Sequence, residues 1–360
     1  MKRIHTILII LMLCAYSEAH SIKIVTISKA NSRVEYAAEY IKKKLSALGY
    51  TFPNHGNDYK IYLRVASDTA GLKKEGFRIT SKKKNIFIDG YDGSGVIYGC
   101  NELAEYAALH HDINIGNMVQ NPEMVLRGSC VGLQKTVYLP GHQVYEYPYT
   151  LENFPWFYDK KQWIEYLDML VDNKMNSIYL WNGHPFASLV KLKDYPFAVE
   201  VDEDTFKKNE DIYSFLTKEA DRRGIFVIQM FYNIILSKPF ADHYGLKTQD
   251  RHRPITPLIS DYTRKSIAAF IEKYPNVGLL VCLGEAIDTY DDDVEWMTKT
   301  IIPGVKDGLK ALGRNDEPPV LLRAHDTDCK AVMGASLPLY NEMYAMHKYD
   351  GESVSTYEPR

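Results

Sequence analysis

The stretch 274-YPNVGLLVCLGEAIDTYDDD-293 decides how this chain is read. Residues Gly278 to Gly284 form an unbroken run of small and apolar side chains, the pattern of a strand buried on both faces. A carboxylate, Glu285, then stands where the strand should end. Upstream, 260-SDYTRKSIAAFIEKYP-275 carries a helical stripe. Downstream, 291-DDDVEWMTKTIIPGVKDGLKALG-313 begins another, with Asp291, Asp292 and Asp293 read as the acidic first turn that complements the helix dipole. The helix–strand–acid–helix unit is therefore one turn of an alternating fold.

The same unit recurs on both sides. Strand 123-EMVLRGSCVGL-133 is followed by a long Tyr/Pro loop, then helix 160-KKQWIEYLDMLVDNK-174 and strand 175-MNSIYLWN-182. Helix 209-NEDIYSFLTKEADRRG-224 leads to 225-IFVIQMFYN-233, and 318-PPVLLRAHDT-327 follows the Asp-rich helix. A sixth, weaker strand is read at 342-EMYAMHKYD-350. Strands alternating with helices require a parallel sheet with right-handed crossovers. No G-x-G-x-x-G and no Walker A loop follows the first strand, so a (β/α)₈ barrel is favoured over a doubly wound nucleotide-binding sheet. A full barrel needs eight strands in about 250 residues. Five clear units and a weaker sixth before Arg360 predict an incomplete (β/α)₈ barrel, its last strands missing from the chain.

Ahead of it, residues 20–118 read as a small α+β sandwich in the order β-α-β-β-β-α. Strand 21-SIKIVTIS-28 precedes a helix with Val34, Ala37, Ala38, Tyr40, Ile41, Leu45 and Leu48 on one stripe. Strand 58-DYKIYLRVA-66, the hairpin 75-EGFRITSKKKNIFIDG-90 and a helix capped at Ser94 complete it. The predicted organisation is a leader over 1–19, the α+β domain over 20–118 and the barrel over 123–360. The leader has a basic start, 1-MKRIH-5, an apolar core, 6-TILIILMLCAY-16, and small residues Ser17 and Ala19 before a cleavage point. It is too short for a membrane span and predicts export to the periplasm or medium. A lipoprotein reading at Cys14 meets a bulky Leu13 and fits less well.

The chain has 360 residues, 25% of them charged, with a net charge of −3. That balance gives no reason to expect nucleic acid or an anionic membrane as partner. Its 27 Tyr, 13 Phe and 4 Trp supply flat faces with polar tips that suit sugars as well as cores. The mature cysteines, Cys100, Cys130, Cys282 and Cys329, show no zinc-ligand spacing, and Cys130 and Cys282 are expected as small buried thiols. No cofactor or metal is expected.

In a barrel, chemistry gathers at the carboxyl ends of the strands. Those ends offer Arg127, Ser129 and Gln134; Trp181, Asn182, Gly183 and His184; Tyr232 and Asn233; Glu285; Arg323, His325, Asp326 and Asp328; and finally His347, Lys348, Tyr349 and Glu352. Such a rim suits an oligosaccharide: Asn, Arg, His and Asp for hydroxyls, Trp and Tyr for the C–H faces. Glycoside hydrolysis requires a pair of carboxyl groups. Glu285 is the candidate general acid, its pKa expected to be raised at the mouth of an apolar strand. Asp326 is the candidate second carboxylate, with a structural pairing to Arg323 or His325 as its alternative. Arg127, Trp181, Asn182, His184, Tyr232, Asn233 and His325 are the candidate substrate-binding residues. A metal site of His184, His325 and Asp326 lacks the H-x-H it would need after the first strand, and there is no G-x-S-x-G for a serine nucleophile.

The segment 76-GFRITSKKKNIFIDGYDGSGVIYGCNELAEY-106, with Gly95, Tyr98 and Gly99 in a G-x-x-Y-G helix start, resembles the small domain that precedes the barrel in family 20 β-hexosaminidases and family 67 and 115 α-glucuronidases. The segment 274-YPNVGLLVCLGEA-286 is similar to the family 67 strand that ends in the proton-donating Glu, here Glu285. The resemblance implies a glycoside hydrolase, α-glucuronidase-like and inverting, acting in polysaccharide degradation. Family 20 enzymes carry Asp-Glu where this chain has Gly284–Glu285, which counts against substrate-assisted cleavage of N-acetylhexosamines, although a β-hexosaminidase-like hydrolase remains an alternative. The family 67 Gly-Gln-Pro segment is absent here, and that family's bases lie late in the barrel. A non-catalytic carbohydrate-binding protein on an incomplete barrel is the competing reading, and the sequence leaves the oligomeric state open.

Overall fold

The structure, a computed structural model, describes residues 20–27, 31–143, 147–232, 235–285 and 287–347. The chain divides into two compact units, one reaching Val125 and taking in 222–224, the other beginning at Leu126.

The first unit holds a five-stranded sheet ordered β1-β2-β4-β3-β5, made of β1 (Ile22–Thr26), β2 (Tyr59–Val65), β3 (Phe77–Lys82), β4 (Asn85–Gly90) and β5 (Met118–Gln120). β1, β2 and β4 run parallel, while β3 is antiparallel to both β4 and β5. The helices Ser32–Ala47 and Gly93–His110 pack on each other and on the sheet. Asn31 starts the first helix by accepting from the Arg33 and Val34 amides at 3.0 and 3.3 Å. The second is capped by Asp92, not by Ser94 as the sequence suggested, through the Gly95 amide at 2.9 Å. Gly95 is required by close approach, since a Cβ there would lie 2.2 Å from the Gly76 carbonyl oxygen. The short β5 escaped the sequence reading because three residues cannot display a period.

The second unit is a curled sheet of six parallel strands in sequential order: β6 (Gly128–Gly132), β7 (Ser177–Trp181), β8 (Phe226–Tyr232), β9 (Val277–Cys282), β10 (Val320–Arg323) and β11 (Met343–Met346). Sequential order without a reversal is barrel topology, because a doubly wound sheet changes direction at a switch point. The weaker sixth strand is therefore present, as β11. Helices Lys160–Asp172, Glu203–Arg222 and Pro257–Lys273 connect β6 to β9. A helix from Tyr290 to Ala311, broken by a π-turn over Met297–Ile301, and the helix Cys329–Ser336 carry the chain on to β11. The Glu203 helix begins six residues before the sequence estimate because the Asp202 side chain accepts from the Thr205 amide at 2.7 Å and acts as its cap.

The faces of this sheet alternate with period two. Gln229 of β8 points to the helix side. It is fully buried, accepting from Tyr213 and Tyr149 at 2.8 and 3.3 Å and donating to the Leu180 and Met230 carbonyls at 3.0 and 3.1 Å. The opposite face carries an apolar cluster of Tyr179, Ile228, Met230, Leu280, Cys282 and Leu321, with Trp181, Tyr232 and Met346 packed against it. Cys130 departs from expectation: as a residue of the edge strand β6 it is exposed, whereas Cys100 and Cys282 are buried. Among the described residues no helix is long and apolar enough to cross a membrane.

Candidate active site at the strand ends

The last inward-facing residues of two strands converge on one carboxylate. Tyr232 ends β8 and Arg323 ends β10, each sharing a face with the apolar cluster through its neighbours Met230 and Leu321. Between them, three residues past β9, stands Glu285. Its Oε2 accepts from the Arg323 guanidinium at 2.7 Å and from the Tyr232 hydroxyl at 3.0 Å, and its Oε1 lies 3.0 Å from His325 Nε2. Arg323 also lies over the Trp181 ring, 5.2 Å from its centroid, so the end of β7 joins the group. Arg323 is nearly buried, whereas the Glu285 side chain is 39% exposed and faces solvent from within this frame.

The electrostatics correct one expectation. Burial works to raise the Glu285 carboxyl, but Arg323, Tyr232 and His325 together outweigh it, and the group titrates below its ordinary value. Glu285 is an ionised carboxylate in this state, not a retained acid. Tyr232 is pushed the other way, chiefly by burial, with Cys282 and the Glu285 carboxylate beside it adding to the shift, so its hydroxyl stays a donor.

Gly284 fits this frame sterically. A Cβ at this position would lie 1.4 Å from the Asp326 carbonyl oxygen and 2.0 Å from its carbon. The Asp that family 20 enzymes carry before their Glu could not occupy this backbone.

The other candidates are placed differently. Asp326 has a left-handed backbone (φ 53°) and an exposed side chain, 3.4 Å from Arg251, whose guanidinium also donates to the Gly284 carbonyl at 3.2 Å. Neither Arg323 nor His325, the partners weighed from sequence, is its ion-pair partner. Arg127 precedes β6, and its guanidinium donates to the Lys174 carbonyl at 2.8 Å. In a parallel sheet this is the amino end of the strands, opposite Glu285, so Arg127 does not belong to the rim. Asn182 is fully buried, donating to the Leu133 and Tyr147 carbonyls at 3.1 and 3.0 Å and accepting from the His184 amide at 3.0 Å. His184 is buried against the Tyr262 hydroxyl at 3.0 Å, and burial lowers its pKa to about 3, leaving it neutral. Both side chains are committed to holding the loop after β7. Asn233 lies outside the described residues, as do Lys348, Tyr349 and Glu352.

Two arginines escaped the sequence-based site. Arg323 was visible at a strand end, and its parity with Leu321 is the signal that aims it inward. Arg251 has no such signal, since it lies in a loop 75 residues from Asp326.

Residues 17–115 match glycosyl hydrolase family 20, domain 2. No curated protein matches the chain. Among solved structures, a family 138 glycoside hydrolase described as targeting pectin rhamnogalacturonan II is similar at 65% identity and a TM-score of 0.88, covering 94% of this chain and 50% of that one. The chain thus spans about half the length of that relative. The family 20 β-N-acetylhexosaminidase of Streptomyces coelicolor A3(2) shares the fold at a TM-score of 0.58 and 15% identity, over 92% of this chain and 71% of that one. A Streptomyces plicatus β-hexosaminidase does so at 0.55 and 14%, over 92% and 70%. The chain thus combines a segment matching family 20 domain 2 with an incomplete (β/α)₈-type barrel, and over nearly all its length it is similar to half of a family 138 glycoside hydrolase.

Proposed function

We propose that the protein hydrolyses a glycosidic bond in a pectin-derived, uronic-acid-containing oligosaccharide, with Glu285 as its central carboxylate. The observation that carries this reading is the convergence of Tyr232, Arg323 and His325 on Glu285 at the carboxyl ends of parallel strands, where barrel enzymes hold their chemistry. The likeness to a rhamnogalacturonan II-targeting enzyme supports the pectin class. The uronic acid of the α-glucuronidase-like reading is retained, since the exposed Arg251, at the loop that carries Glu285, suits an anionic sugar.

An ionised Glu285 suits attack better than proton donation. As nucleophile it bonds to the anomeric carbon while the C–O bond to the leaving group breaks; as base it takes a proton from the attacking water. Either route needs a second carboxyl group to protonate the leaving oxygen. Within this sequence Asp326 is one candidate, and Glu352, which follows β11 in the sequence, is a second. Tyr232 and Arg323 hold the attacking carboxylate in place, and Trp181 offers a ring face to the sugar.

Comparison of E285Q, D326N and E352Q on rhamnogalacturonan II oligosaccharides tests the reading. E285Q is expected to lose at least ~10³-fold in kcat, with one of the other two similarly impaired. Unchanged turnover in E285Q, or oligosaccharide binding without turnover in the wild type, rejects it. We further propose export, on the strength of the leader over 1–19; a mature protein beginning near His20 in a periplasmic or secreted fraction would support it.

A further inference from the structure

The three aspartates that open the helix at Tyr290 are not equivalent. Asp291 is exposed and Asp292 accepts from the Thr289 hydroxyl at 2.7 Å, both behaving as an ordinary acidic first turn. Asp293 is only 1% exposed. Its Oδ2 accepts from the Thr327 hydroxyl at 2.5 Å, and its Oδ1 is buried with no hydrogen-bond partner among the described residues. Burial, with a smaller push from the Asp326 and Asp292 carboxylates facing it, raises its carboxyl to about 6. A buried carboxylate with an unmet oxygen is costly, and the helix dipole it could serve is already served by its two neighbours.

What Asp293 holds is the loop from Ala324 to Asp328. That loop is tied at both ends, by the Ala324 amide on the Met346 carbonyl at 2.9 Å and by Asp328 capping the Cys329 helix through the Ala331 amide at 2.9 Å. Between these ends the Asp326 backbone turns left-handed and its carbonyl packs on Gly284. The loop's inward product is His325, whose Nε2 meets Glu285 Oε1 at 3.0 Å. Its middle has one side-chain anchor to the preceding helix among the described residues, the Thr327–Asp293 bond.

We propose that Asp293 is a positioning residue, which fixes the 324–328 loop through Thr327 and so sets His325 against Glu285. This rests on Glu285 being the functional carboxylate. Asp293 touches no reacting atom. Its effect is to keep the His325 ring in register with a carboxylate on a different loop, and displacement of about 1 Å in such a contact can cost on the order of 10²-fold in rate.

The test uses T327V, which keeps the side-chain shape and removes the hydroxyl, T327S, which restores it, and D293A as an independent route to the same loss. The readouts are kcat and KM on rhamnogalacturonan II oligosaccharides and the ¹⁵N resonance of the His325 ring, with E285Q marking where that resonance falls without the carboxylate. T327V and D293A are expected to lower kcat about 10-fold or more with little change in KM, and to move the His325 resonance toward its E285Q position. T327S is expected to retain both wild-type values. A His325 resonance unmoved in T327V and D293A overturns the proposal. The resonance reads the loop whether or not turnover occurs, so an active E285Q would sink the hydrolase reading while leaving this one separately decided.

Discussion

Gly284→Ala is the most demanding single perturbation of this site. The added Cβ would stand 1.4 Å from the Asp326 carbonyl oxygen, 2.0 Å from its carbon and 2.7 Å from the His325 carbonyl oxygen. All three obstacles are backbone, so no side chain can swing aside. An ordinary contact of ~3.5 Å requires the two loops to part by about 2 Å. Overpacking of this kind costs about 1–3 kcal/mol and occasionally more; an obstacle made of backbone belongs at or above the top of that range. At ~2–4 °C per kcal/mol for a domain of this size, Tm should fall by roughly 6–12 °C. Parting the loops also separates Glu285 from His325, so kcat/KM should fall about 100-fold or more even at temperatures where the variant is folded. Gly334→Ala serves as control: it lies in the Cys329–Ser336 helix with nothing within 4 Å of the added Cβ, and should raise stability by about 0.5–1 kcal/mol. Differential scanning calorimetry and initial rates measure both effects. A Gly284→Ala protein that melts with the wild type and turns over normally would refute the steric account of the Gly284–Glu285 pair.

Arg323→Ala removes the strongest of the forces that hold Glu285 below its ordinary value, so the acid limb of kcat/KM should move to higher pH, with a loss of about 10²-fold at neutral pH; a pH–rate profile superimposable on wild type would exclude the pairing as functional. His184 predicts an acid-labile fold. Its folded pKa of about 3 lies below the ordinary value of 6.5, so the unfolded chain binds the extra proton between them, and stability present above pH 6.5 is lost as pH falls toward 3. A His184→Asn variant should show a shallower fall of Tm over that window, and equal slopes would remove His184 as the cause.

The barrel was legible because six strands and the helices between them announce themselves by apolar runs separated by periodic stripes. The sequential strand order adds only what connection rules already demanded. Residues whose roles depend on strand parity were half legible: Trp181, Tyr232 and Glu285 fall at strand ends in any reading, and Arg323 required knowing which face Leu321 takes. Arg127 was misplaced because the sequence does not show where within 123–133 the strand begins, and a shift of that start moves a residue from one end of the barrel to the other. Asn182 and His184 stand at a strand end as expected, yet their polar groups meet local carbonyls and Tyr262, an outcome that depends on loop conformation. The split among the Asp291–Asp293 carboxylates depends on Thr327, 34 residues away from Asp293, and no local pattern carries it.

Gln229 has a consequence for how the second unit assembles. If β8 slid by one residue against β7 and β9, its amide would turn from the tyrosine hydroxyls of the helix side into the company of Tyr179, Leu280 and Leu321, with four hydrogen bonds broken and none regained. The neighbouring apolar residues of β8 would tolerate either face, so hydrophobicity alone leaves this strand two nearly equivalent alignments. The amide makes one of them prohibitive. A polar group far from solvent thus works as an alignment pin during folding, and the residue it keeps in alignment at the strand's far end is Tyr232, whose hydroxyl would otherwise point away from Glu285.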